Sequence, residues 1–182
     1  MYGINPFINF IEDFLTNGYV FKSFLSNHDK KSICLRHDVD FSISDAYEIA
    51  KLESEIGIKS SFFFMISSNF YNCFSCENSN YIFKIKSLGH YVSLHFDPTC
   101  YVDLDKGFLI EKNIFNNFFN TDIKIVSLHR PGKFLDDNNR KLDGTIHTYQ
   151  DQFFKNMFYF SDSGGSNIIK KIKEIEIDQI NK

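Results

Sequence analysis

Leu35-Arg36-His37-Asp38-Val39-Asp40, entered through the apolar run Ile33-Cys34-Leu35, decides how this chain is read. A short apolar run predicts a buried strand, and this one ends in one arginine, one histidine and two aspartates. Taking an unpaired carboxylate out of water costs several kcal/mol or more, comparable with the ~5–15 kcal/mol that holds a domain together. Charged groups at such a strand end are therefore expected to be paired, hydrogen-bonded or bound to metal. The chemistry of the protein is expected to begin there.

Working outward, Ser42 can cap a helix with Asp45 in its first turn, Ile43, Ala46, Tyr47 and Ala50 on one face, and Gly57 at its end. Residues 60–66 (SSFFFMI) then read as a second buried strand. Strand, helix, strand is the parallel crossover unit, which indicates an α/β fold. The unit recurs. A polar loop over 67–79 leads to a short helix carrying Tyr81, Ile82, Ile85 and Leu88, closed by Gly89, and residues 91–95 (YVSLH) form a third strand. Asp103 or Asp105 can start the next helix, with Ile110, Ile114 and Phe118 on one face. Residues 124–129 (KIVSLH) form a fourth strand, followed by Arg130-Pro131-Gly132. Upstream, Phe7, Ile8, Phe10, Ile11, Phe14 and Leu15 predict an amphipathic helix ended by Asn17-Gly18. Downstream, 145–149 and 157–160 predict short strands, and 167–182 alternate isoleucine with lysine and glutamate as a terminal helix would.

At 182 residues, with 43% hydrophobic and 24% charged residues, the chain fits one globular domain spanning 1–182. A net charge of -3 with scattered lysines gives no basic footprint, so nucleic acid is not an expected partner. No apolar run approaches the roughly 20 residues of a membrane span, and Asn5, Glu12 and Asp13 stand where a signal peptide would be basic and then apolar. The cytoplasm is the expected compartment. Four cysteines, Cys34, Cys73, Cys76 and Cys100, fit reduced thiols better than a disulfide framework. Cys73-x-x-Cys76 lacks a second pair nearby.

Four expected strands end in polar groups: Asp38 and Asp40; His95 and Asp97; His129 and Arg130; Asp162. In parallel sheets and barrels the carboxyl ends face one way and active sites are built there, so these residues are expected to converge. Histidine and aspartate around a divalent ion such as zinc activate water, and a carboxylate free of metal can accept its proton.

In order and spacing, LRHDVD (35–40), GHYVSLHFDP (89–98), SLHRPG (127–132) and FSDSGG (160–165) resemble the polysaccharide deacetylase family, also called the NodB-homology or carbohydrate esterase 4 fold. They look most like its divergent branch with His-Asp-Val-Asp at the first motif. The resemblance spans residues 33–165. It implies a distorted, incomplete (β/α) barrel and a metal-dependent hydrolase that removes an acetyl group from an N- or O-acetylated sugar or glycan precursor, in surface polysaccharide biosynthesis by analogy. It also implies a divalent cation, zinc above others. By the motifs, Asp38 is the general base and Asp40 a metal ligand, though the i, i+2 spacing puts both on one side of a strand and permits the reverse.

His95 matches the first metal histidine of the second motif, whereas Thr99 stands where the second should be. Asp97 or His129 can complete the ligand set. Arg130 matches the arginine that orients the base, and Asp162 a supporting position. The final histidine motif of the family has no counterpart after Gly165. Either His129 or His147 supplies the acid, or the barrel is catalytically degenerate and binds a glycan or a protein partner. A phosphoesterase on the same scaffold would need more basic groups than Arg36 and Arg130. Oligomeric state is not legible in the sequence.

Overall fold

The computed structural model describes residues 4–132 and 139–161. The mixed α/β architecture follows from a five-stranded parallel sheet whose strands lie in sequence order: β3 (Arg36–Val39), β4 (Ser61–Phe64), β5 (Tyr91–Phe96), β6 (Ile125–Leu128) and β7 (Ile146–His147). Two shorter strands, β1 (Val20–Phe21) and β2 (Ser32–Ile33), pair separately. The helices are α1 (Ile4–Thr16), α2 (Ile43–Ile56), α3 (Cys76–Ser87), α4 (Leu104–Phe119) and the single turn α5 (Asp151–Phe154).

Each crossover helix starts where a capping side chain satisfies a free amide. Ser42 Oγ accepts from the Asp45 amide at 3.2 Å, Ser75 Oγ from Asn78 at 3.3 Å, and Asp103 Oδ1 from Lys106 at 3.1 Å. Gly57, at φ 88°, closes α2 in the left-handed conformation that glycine tolerates best.

Side chains alternate across the strands, and the alternation sorts the sheet into two faces. Val39, Phe62, Phe64, Val92, Leu94, Phe96, Val126 and Leu128 form one continuous core with Ile43, Ala46 and Ala50 of α2, Ile82 and Ile85 of α3, and Phe108, Phe115 and Phe119 of α4. The other face begins with Arg36 and Asp38 and carries Phe63, Ser93, His95 and Ser127. At its far end Ile125 packs with Phe24 and Phe153. The apolar face thus anchors the strands, while the second face is itself packed around Phe63 and Ile125 and presents Asp38 and His95 to a cleft at its carboxyl end.

Several expected boundaries move. The strand expected from the run Ile33-Cys34-Leu35 divides: Ile33 pairs with Phe21 in β2, and β3 takes Arg36 through Val39 into register with Ser61 through Phe64. Backbone pairing, not apolar character, fixes the strand here, so Asp38 lies inside it and Asp40 just beyond its end. Helix α3 starts five residues before Tyr81, at Cys76. Residues 157–160, expected as a strand, take no regular structure. Ile110, Ile114 and Phe118, the expected row, face outward; Phe118 is 44% exposed while Phe119 is buried. The expected helix over 167–182 lies outside the described residues. Among the described residues, no helix is long and apolar enough to cross a membrane.

Candidate metal centre

Three strand ends deliver three ligand atoms to one point. Asp40 follows β3 directly, His95 is the penultimate residue of β5, and His129 follows β6. The His129 amide donates to the Phe96 carbonyl at 2.8 Å, extending the β5–β6 ladder by one residue and bringing the two histidines side by side. His95 Nε2 lies 3.3 Å from Asp40 Oδ1, His129 Nδ1 lies 3.4 Å from the same oxygen, and the two ring nitrogens are 3.2 Å apart. The rings meet edge to face at 82°. Among the described residues, these three side chains form the group that can hold a metal ion.

The donor set fits. Ligands about 2.0–2.2 Å from a tetrahedral ion lie roughly 3.4 Å from one another, close to the three distances found. Contact with His95 holds the Asp40 carboxyl below its ordinary value, against the opposing effect of burial. Burial, and then the electrostatic effect of the neighbouring His95, push His129 below the ordinary histidine value. Both shifts favour the forms that bind a cation, an ionised carboxylate and a neutral imidazole.

The trio sits in a cleft of about 1080 Å³ that Arg36, Asp38 and Arg130 also line. Asp38 Oδ2 lies 3.4 Å from Arg36 Nη2. Its other oxygen, Oδ1, is buried and has no hydrogen-bond partner among the described residues. Phe7 and Phe10 of α1, Phe41, Tyr149 and Tyr159 give the cleft aromatic walls.

Arg130 does not meet Asp38. It sits at φ 47°, a left-handed turn straight after the strand, and its guanidinium pairs with Asp97. Asp97 is buried and also accepts from the Thr99 amide at 2.9 Å and its hydroxyl at 2.7 Å. Burial alone would raise the Asp97 carboxyl; the bonds from Thr99 and Arg130 more than offset it and hold the value below normal. Asp97 therefore serves as a turn residue and an anchor for Arg130. His129, and not Asp97, completes the candidate ligand trio with Asp40 and His95.

His37 and His90 are structural. His37 stacks on Phe62 with ring centres 4.5 Å apart and reaches Glu53 at 2.6 Å, while His90 faces Ser60 and bonds the Ala50 carbonyl at 2.9 Å. His147 is buried, its Nδ1 accepting from the Tyr149 amide at 3.3 Å, and it does not line the cleft. Cys73 is buried, Cys76 exposed, and all four cysteines are free thiols. Asp162 lies outside the described residues. Sequence reasoning missed Tyr71, whose hydroxyl donates to the Val39 carbonyl at 2.6 Å and accepts from the Met65 amide at 2.8 Å, pinning the backbone beside Asp40. It also missed Thr148, Tyr149 and Tyr159 around Arg36. Nothing in their spacing marks them, because they meet Arg36 from more than a hundred residues away.

Fold and site together define an α/β protein with a candidate metal centre at the carboxyl ends of parallel strands. No model of a known protein family matches the chain, and no curated protein sequence matches it.

Proposed function

We propose that this protein is a divergent polysaccharide deacetylase, a zinc-dependent hydrolase that removes acetyl groups from an N- or O-acetylated sugar or glycan. The observation that carries the proposal is the meeting of Asp40, His95 and His129 in one cleft with a second carboxylate, Asp38, whose Oδ1 has no partner among the described residues. The order of the motifs along the chain supports the family, and the sequential parallel strands with three helices on one face support an incomplete barrel.

Asp40, His95 and His129 are the residues that would hold the cation. Bound there, a divalent ion supplies Lewis-acid polarisation of the acetyl carbonyl and of attacking water. Asp38 is the base: it takes a proton from water as the oxygen bonds to the acetyl carbon. The bond from that carbon to the sugar nitrogen or oxygen then breaks, the departing atom receives the proton, and acetate and a free amine or hydroxyl result. Asp38 suits this role better than Asp40, because Asp40 Oδ1 is already turned toward two imidazoles. The aromatic walls suit the apolar face of a pyranose ring.

Metal content and zinc affinity of the purified protein, measured beside Asp40→Ala and His95→Ala, test the proposal. About one zinc per chain, lost in both variants while far-UV circular dichroism is retained, is expected, with acetate released from acetylated sugars by the parent. A folded parent that takes up no zinc at micromolar concentration overturns the hydrolase reading and leaves a deacetylase-like binding module.

A further inference from the structure

Asp38 needs a fixed direction to act as a base, and the structure offers two arginines to give it. Arg130 is committed elsewhere: its guanidinium pairs with Asp97, which is buried and held by Thr99. Arg36 stands two residues before Asp38 on the same side of β3, with only 15% of its side chain exposed and Nη2 3.4 Å from Asp38 Oδ2.

The setting of Arg36 is built. Nη1 donates to the Thr148 hydroxyl, and Nη2 donates to the Tyr149 and Tyr159 hydroxyls at 3.1 and 2.9 Å. The rings of the same two tyrosines approach the guanidinium, with centroids 4.8 and 5.6 Å from Cζ. Tyrosine rings and hydroxyls together restrain a planar cation in position and tilt. Asp38 is the carboxylate paired with it. One oxygen of Asp38 thus lies at ion-pair distance from the caged guanidinium, and the other has no hydrogen-bond partner among the described residues.

We propose that Arg36, caged by Thr148, Tyr149 and Tyr159, is the positioning residue that orients Asp38 as the base, the task the sequence motif assigns to Arg130. The inference rests on the hydrolase reading above. Arg36 acts through Asp38 and need touch neither substrate nor cation. Arg130 instead fixes the turn that carries His129.

Two measurements test it, one independent of activity. In ¹⁵N spectra of the arginine guanidinium groups of the full chain, Asp38→Asn is expected to shift the Arg36 resonances and leave those of Arg130 in place. Tyr159→Phe, which keeps the ring and removes one acceptor, is expected to shift Arg36 too. A response to Asp38→Asn at Arg130 rather than Arg36 overturns the proposal.

The second measurement uses zinc-loaded protein and 4-nitrophenyl acetate as the probe. Arg36→Ala is expected to lower kcat roughly 10- to 100-fold, with zinc stoichiometry retained and KM changed far less. Guanidinium chloride at non-denaturing concentration should restore part of the rate, which a loss of fold would not allow. Unchanged kcat in Arg36→Ala, or rescue of Arg130→Ala in its place, overturns the proposal. A parent that cleaves neither this ester nor an acetylated sugar sinks the hydrolase reading instead, and the spectra then decide the pairing alone.

Discussion

Glu111 holds its carboxyl out of water on the inner side of α4, where the Tyr101 hydroxyl donates to Oε1 at 2.6 Å. Burial pushes its pKa above the ordinary glutamate value. The folded protein therefore binds this proton more tightly than the unfolded chain does. Its contribution to stability is complete below the ordinary carboxylate range and is lost as pH rises through the raised value. Glu111→Gln keeps the shape and removes the titration, so its melting temperature should gain on that of the parent as pH rises above the ordinary carboxylate range. Parallel melting curves above that range would show a carboxyl that titrates normally. At this same scale the spacing of Asp38 and Asp40 suggested one side of one strand; the strand ends at Val39, so Asp38 lies in it and Asp40 beyond it, and both line the cleft. The choice of arginine for each carboxylate was not legible, because it turns on the left-handed backbone of Arg130, which directs that side chain to Asp97.

Helix α4 shows why periodicity located elements more reliably than it oriented them. Two apolar rows run along it at helical spacing, Phe108-Phe115-Phe119 and Ile110-Ile114-Phe118, and the period alone does not choose between them. The fold buries the phenylalanine row. A Cβ on Gly107 would lie 2.2 Å from the Tyr101 ring, so the absence of a side chain there lets the ring pack against the buried face of the helix. Alanine is a better helix former than glycine by about 1 kcal/mol, yet overpacking costs typically ~1–3 kcal/mol. Gly107→Ala should therefore lower the urea midpoint despite its propensity. A raised midpoint would mean that the Tyr101 ring swings aside without cost. The cap of α2 was legible because Ser42 precedes an apolar periodic run; for α4 Asp103 and Asp105 both qualified, and the Asp103 side chain takes the cap. The strand β3 was misplaced by three residues, because its pairing with β4 outweighs the apolar run before it.

For the whole molecule, candidate ligands drawn from three strand ends would couple the binding of a cation to the fold. A ligand that binds the folded state at about a hundred times its dissociation constant adds roughly 2.7 kcal/mol, which for a chain of this size corresponds to about 5–10 °C in Tm. Zinc should raise the melting temperature of the parent by that order, and a chelator should reverse the rise. His95→Ala should melt at one temperature with or without zinc; an equal rise in that variant would place the binding elsewhere. The α/β class was legible from the recurring strand-helix unit, and the convergence of His95 and His129 from the rule that parallel strands end on one side. The closing of the cleft around Arg36 was not. Its partners follow it by 112, 113 and 123 residues, an interval that synthesis at ~5–20 residues per second stretches to roughly 6 to 25 s. During synthesis the candidate ligand trio is complete in the chain once His129 has been added, when the last of the tyrosines, Tyr159, is still thirty residues from being added. A nascent chain therefore contains all three candidate cation ligands before the groups that surround Arg36, and the two sets of side chains become available to the fold in that order.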